Sequence, residues 1–173
     1  MSDKEGNRLE VGGIILAIRP EFVEAIFAGR KRFELRRRRP AIDLGGIVYI
    51  YCTAPRQAIV GQFTCREVHG GSLEELWGRF GGVSSLSQDG FWAYFRGVER
   101  GYALEIDQVR RWEQPLGLEA IRRITPRFWP PQFHRRVLPD EPLVRCLAAR
   151  GERSRGPGLG GLGRRKLSPS GCC

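Results

Sequence analysis

GRKRFELRRRRP, residues 29–40, is where the periodicity of the chain changes and where its charge is concentrated. Just before it, Pro20 suits the first position of a helix, and Phe22, Val23, Ile26 and Phe27 fall on one helical face before Gly29 closes the element. From Lys31 the period drops to two. In a strand, Lys31, Phe33 and Leu35 would share one side, and Arg32, Glu34 and Arg36 the other. A lysine on the side of Phe33 and Leu35 is costly unless it is paired or opens to solvent. The strand is therefore expected to line a cleft, and Pro40 to end it. Glu34 and Arg36 are expected to pair with each other or with neighbouring strands.

The flanks supply the rest of a sheet. GGIILAI (12–18) is a short apolar run suited to a buried strand. GGIVYIYC (45–52) and AIVGQFTCREV (58–68) read as two more strands, separated by the loop TAPRQ. SLEELWGRF (72–80) begins as a capping-box helix, with Ser72 as N-cap and Glu75 at the third helical position. The loop VSSLS leads to a second helix over 88–95, GYALEIDQV (101–109) returns to strand alternation, and 118–124 suits a short helix. The prolines of RFWPPQFHRRV (127–137) exclude a regular element there, so this segment is expected to cross the body as an arm that uses Phe128, Trp129 and Phe133. The order describes an α+β fold, a small mixed β-barrel of five to six strands with helices capping its ends, rather than βαβ units.

The net charge of +10 sits in two blocks. Residues 30–39 hold seven basic residues against Glu34, and residues 151–173 hold five against Glu152; the rest balances at 17 basic and 17 acidic residues. Such blocks on a balanced body point to a polyanion. With 173 residues and 41% hydrophobic content, one domain with a proper core is expected. Its boundaries read as a flexible leader at 1–12, the barrel domain with its arm at 13–149, and a disordered tail at 150–173 rich in Gly, Arg, Ser and Pro. No apolar run approaches the ~20 residues of a membrane span, and the polar start MSDKEGNRLE lacks the apolar stretch of a signal peptide, so no membrane contact and a cytoplasmic location are expected. Cys52, Cys65 and Cys146 are isolated, and Cys52 and Cys65 read as buried hydrophobes; no metal site and no cofactor are expected. No nucleophile arrangement or Gly-rich phosphate loop is present.

Gly29, Lys31, Glu34 and Arg36 match GxKxxExR, and with that motif the chain resembles the ASCH domain family of the PUA-like superfamily. LAIRPEFVEAIFAG before the motif, YIYCTAP, VGQF, the tryptophan-containing helix pair and GYALEI are similar to the family pattern from about Ile14 to Ile124, and the PPQ of Pro130 to Gln132 is similar to members that close the domain with such an arm. The resemblance implies a barrel with a cleft lined by the motif and a role, often regulatory, in binding RNA or another single-stranded or modified nucleic acid. Some relatives are enzymes, among them an amidohydrolase of a modified nucleoside and a metal-assisted ribonuclease. The amidohydrolase has a threonine where this chain has Glu34, and a glutamate in the loop where this chain has GGVSSLS (81–87). Both departures weigh against that reaction.

On this reading Lys31 and Arg36 contact phosphate or a base edge, and Glu34 accepts a hydrogen bond from a base amino group. Arg37 and Arg38 extend the run along a backbone. Arg19, Thr53 and Tyr102 are further cleft candidates by their place in the family pattern, and Trp129 is the tryptophan expected to stack near the cleft. An enzyme on the same cleft would use Lys31 as amine or proton carrier and Glu34 as general acid/base. A modified nucleoside is an alternative ligand, and a protein-interaction module an alternative role.

Overall fold

The computed structural model describes residues 12–153. All but the last residue of the expected leader and all but the first four residues of the expected tail, including Cys172 and Cys173, lie outside them. The described residues form six strands and five helices in the order β1 (Gly13–Ile18), α1 (Pro20–Phe27), β2 (Phe33–Arg36), β3 (Ile47–Cys52), β4 (Ala58–Ser72), α2 (Leu73–Phe80), α3 (Gln88–Tyr94), β5 (Arg100–Gly117), α4 (Leu118–Ile124), β6 (Arg135–Val137) and α5 (Pro142–Arg153). A 3-10 turn, Gly81–Val83, follows α2.

The strands form one mixed sheet in the order β2-β5-β4-β3-β1-β6, in which β1 and β3 run parallel and the other neighbours antiparallel. The fold is α+β and PUA-like, but the sheet is not the closed barrel expected. Its edges, β2 with four residues and β6 with three, exchange no ladder with each other. The long strands β4 and β5 run together over most of their lengths with three register shifts, and such bulges bend and twist a ribbon. The bend brings the two edges close enough for a side chain to span them, as the site below shows.

Side-chain alternation along the strands feeds three apolar layers. Ile14, Leu16 and Ile18 of β1 pack with Val23 and Ile26 of α1 and with Val48, Ile50, Phe63 and Leu104. Ile15 packs instead with Tyr49, Tyr51, Trp112 and Phe128, and with Leu143, Val144 and Leu147 of α5. Phe33 and Leu35 of β2 pack with Leu73, Leu76 and Phe80 of α2, with Phe91 of α3 and with Phe95 just after it. Covered on both faces, β1 and β3 read as continuous apolar runs.

Several elements outrun their sequence signals. β5 continues to Gly117 and β4 to Ser72, because the paired partner, rather than local propensity, sustains the ladder. The arm places Phe128 in the core and adds β6 to the edge beside β1, while Trp129 stays 72% exposed. α5 is absent from the sequence reading, and it runs through the composition break at Arg150 to Arg153. Its burial of Leu143, Val144 and Leu147 against the sheet carries a helix that local composition does not announce.

The capping box at α2 is formed: the Ser72 hydroxyl accepts from Glu75 N–H at 3.2 Å, and the Glu75 carboxylate accepts from Ser72 N–H at 2.9 Å. Ser72→Ala is expected to cost about 1 kcal/mol, read as a lower urea midpoint at unchanged slope.

Candidate functional site

Gly29 ends α1 with φ +72, in the left-handed region that favours glycine, and turns the chain so that Arg30 N–H and Lys31 N–H both donate to Ala25 O, at 2.9 and 3.0 Å. Arg32 is then pinned from both sides, its N–H donating to Val83 O at 2.8 Å and its carbonyl accepting from Ile106 N–H at 3.0 Å. Lys31 therefore precedes β2 and does not follow its alternation. It meets Glu34 rather than lying on the side of Phe33 and Leu35, a correction to the two-residue period read from the sequence.

Lys31, Glu34 and Arg36 form a buried ionic cluster, with exposures of 3, 6 and 9%. The Lys31 ammonium lies 3.3 Å from Glu34 Oε2 and donates to Ser84 O at 2.6 Å, 5.0 Å from the centre of the Phe22 ring. Arg36 Nη1 lies 3.5 Å from Glu34 Oε1 and donates to Ala17 O at 3.5 Å, while its Nη2 donates to Phe133 O. Because Arg36 sits on one edge strand, Ala17 on β1 and Phe133 just before β6, this guanidinium closes by side chain the gap that the ladder leaves open.

The cluster floors a cleft of about 360 Å³ bounded by Ala17, Arg19, Phe22, Leu86 and Tyr94. Among the described residues that line it, Glu34 is the sole carboxylate. On the other side of Arg36 lies a second cavity of about 300 Å³, bordered by Arg37, Arg38, Tyr94, Phe133 and His134. Arg38 stacks over the Phe133 ring at 4.4 Å, and Arg37 Nη2 donates to Arg96 O at 2.9 Å. The Tyr94 hydroxyl, which donates to Leu35 O at 3.2 Å, is pushed up in pKa chiefly by burial. His134 is pushed down, first by burial and then by the Arg36 and Arg136 guanidiniums, so it favours the neutral form.

The structure thus brings together Arg19, Lys31, Glu34 and Arg36 at one cleft and Arg36, Arg37 and Arg38 at the adjoining one. Arg19 stands at the rim, ion-paired to Glu21. The fold does not bring in the other three candidates. Thr53 N–H donates to Ile18 O at 3.0 Å, yet Thr53 does not line the cleft. Tyr102 pairs with Arg36 across β5 and β2, with its ring over Gly70 rather than in the cleft. Trp129 lies under the Arg122 guanidinium at 5.1 Å, away from both cavities. Sequence reasoning missed Phe22 and Tyr94, whose helices supply the aromatic walls, and the carbonyls of Ala17, Ser84 and Phe133. Backbone acceptors carry no residue signature, so no sequence signal marks these three.

A larger cavity of about 460 Å³ lies elsewhere, between α5 and the sheet, bordered by residues such as Gln62, Arg110 and Glu152. Cys52 and Cys65 are buried, and burial pushes the Cys65 thiol up to about 11, as expected of inert core cysteines. No helix among the described residues is long and apolar enough to cross a membrane.

Comparison with known proteins follows the same outline. The profile of the ASCH domain matches residues 16–122. A curated protein of Zymomonas mobilis named "ASCH domain-containing ribonuclease" is 31% identical over 118 residues, covering 68% of this chain and 79% of that protein. The crystal structure of ASCH from Zymomonas mobilis superposes with a TM-score of 0.74 at 26% identity, over 83% of this chain and 96% of that one. The N-terminal domain of Staphylothermus marinus McrB shares the fold alone, with a TM-score of 0.51 at 14% identity, over 80% of this chain and 93% of that one.

Proposed function

The chain belongs to the ASCH domain family, and on that premise we propose that it binds single-stranded RNA, holding one base in the Lys31–Glu34–Arg36 cleft and the adjoining phosphates on Arg37 and Arg38. The observation that carries this reading is the composition of the cleft. It sets ammonium, carboxylate and guanidinium between the aromatic walls Phe22 and Tyr94 in about 360 Å³, within the size range of small-molecule sites. A bare phosphate needs only cations. A base edge presents donors and acceptors together, and its ring takes aromatic stacking.

Valence leaves the cluster room for a ligand. Two of the three Lys31 donors go to Ser84 O and Glu34, leaving a third; the Glu34 oxygens each keep lone-pair capacity beyond their ion pairs. Arg36, by contrast, is committed to two carbonyls and Glu34, so it orients Glu34 and holds the sheet edges more than it reaches for the base. The exposed Arg37, Arg38 and Arg39 provide the salt-dependent share of binding. A regulatory role, reached through occupancy of an RNA segment, is compatible with a site that binds without a dedicated nucleophile.

The test is fluorescence anisotropy of labelled single-stranded RNA, duplex RNA and DNA over a salt series. Single-stranded RNA is expected to bind best. Replacing Arg37, Arg38 and Arg39 by alanine is expected to flatten the slope of log K against log salt by about 2, at about 0.7 for each single-strand phosphate that is no longer neutralised. Binding indifferent to salt, or equal for all three nucleic acids, would overturn the reading.

A second reading, cleavage of RNA at the same cleft, draws support from the name of the Zymomonas mobilis relative. It is checked by following the length of the bound RNA with and without a divalent ion.

A further inference from the structure

On the face of the sheet that carries Phe33, away from Glu34, β4 and β5 place three donor groups together. Glu67 and His69 lie two apart on β4 and so share a face, and Glu105 stands on β5. Arg66 and Glu67 occupy the register shift between the pairs Cys65–Ile106 and Val68–Leu104, which sets these two residues opposite Glu105. Like charges opposite one another across a ladder are destabilising unless a cation lies between them.

We propose that Glu67, His69 and Glu105 form a binding site for a divalent transition-metal ion of the zinc or manganese type. One donor atom from each residue lies within 4.8 Å of the other two. Donors on a shared ion of this type are separated by up to about 4.2 Å, given bonds of about 2.1 Å, so a small rotation of Glu67 completes the set. The distances within the cluster do not suit hydrogen bonds: His69 Nδ1 is 3.8 Å from Glu67 Oε1, and Nε2 is 3.9 Å from Glu105 Oε2. A metal ion shared by one ring nitrogen and one oxygen of each carboxylate separates the two anions and completes a three-donor set.

The surroundings pre-set the ring and leave the site open. The His69 imidazole is tilted against Phe33 and Phe80, with ring centres 6.0 and 5.0 Å away. Arg66, itself exposed, lies 3.7 Å from Glu105 Oε1, leaving Oε2 turned toward His69. With Glu67 59% exposed, three protein donors and open solvent positions match a site completed by water. Imidazole with carboxylates favours zinc over manganese, and disfavours the all-oxygen preference of magnesium. This site is independent of the RNA cleft and stands or falls separately from it.

The test is calorimetric titration of the full-length chain with zinc chloride and, separately, manganese chloride. Cys172→Ser and Cys173→Ser are present throughout, so that thiolates outside the site do not compete. One equivalent of zinc is expected to bind, more tightly than manganese, and affinity is expected to fall at least about tenfold in His69→Gln and in Glu67→Gln. Glu67 is exposed, so its loss does not threaten the fold, and circular dichroism checks that both variants remain folded. No binding of either metal by the parent, or equal binding by parent and Glu67→Gln, would overturn the proposal.

Discussion

Glu34→Ala is expected to destabilise the protein by about 3–5 kcal/mol, which for a domain of this size lowers the thermal midpoint by roughly 10 °C or more. The carboxylate is 6% exposed and touches two cations that are themselves buried, Lys31 at 3.3 Å and Arg36 at 3.5 Å. Its removal leaves both in a poorly solvated site facing each other's charge. The cost is that of stranded charge rather than missing attraction, so Glu34→Gln, which retains an acceptor but not the charge, should fall between alanine and wild type. Differential scanning calorimetry on the three proteins measures the series. A midpoint for Glu34→Ala within a few degrees of wild type would mean that water reaches the cluster freely and that the ion pairs carry little.

The second large effect separates stability from recognition. Replacing Lys31, Glu34 and Arg36 together by methionine exchanges a buried ionic cluster for apolar side chains of similar length, a change that is often neutral or stabilising. The change frees the carbonyls of Ser84, Ala17 and Phe133: Phe133 is 44% exposed, so water can replace the guanidinium there, while the buried Ser84 carbonyl loses its ammonium donor at a cost of about 1–3 kcal/mol, set against the relieved desolvation of three charges. The triple variant is therefore expected to stay within about 2 kcal/mol of wild type. RNA affinity should nevertheless collapse. Hydrogen bonds to charged groups are worth about 1.5–3 kcal/mol each, so removing two of them weakens binding by about 100-fold to 10⁴-fold. Anisotropy on the folded variant reads the drop directly. To keep the tail from masking it, the same measurement is made in a full-length chain with Arg155, Arg164, Arg165 and Lys166 changed to glutamine. Affinity retained by the triple variant in that background would show that RNA binds elsewhere on the surface.

The two experiments share a physical premise. An ionic cluster this deep is a poor device for stability, because the cost of desolvating three charges consumes most of their mutual attraction. In this fold it also has a mechanical task, since Arg36 joins β2 to the β1 side where no backbone ladder does. Glu34→Ala probes the electrostatic balance, and the methionine exchange probes what the charges do beyond it.

Much of this was legible in the chain. The apolar runs at 12–18 and 45–52, the capping box at Ser72 and the glycine stop at Gly29 are set by local rules, and the structure places β1, β3, α2 and the end of α1 there. GxKxxExR named the cluster residues through the family resemblance that it carries. Pairing lengths were not legible. β4 and β5 extend well past their alternating cores because each supplies the other's hydrogen bonds, and α5 exists because Leu143, Val144 and Leu147 find the sheet. The side on which Lys31 lies also escaped, since the N–H groups of Lys31 and Arg32 donate to the carbonyls of Ala25 and Val83 and hold this segment outside the strand.

By itself, then, the sequence determined which residues are charged, which segments are apolar at strand or helix period, and that a lysine, a glutamate and an arginine would crowd the start of one strand. Those properties depend on neighbours a few bonds away. Tertiary structure alone decided that the sheet stays open and is bridged by Arg36, that Ser84, Ala17 and Phe133 offer carbonyls to the cluster, that Thr53, Tyr102 and Trp129 stay outside the cleft, and that Glu67, His69 and Glu105 meet. Each of these rests on contacts between residues far apart in the chain, where a single bulge or bend sets the distance and no local pattern records it.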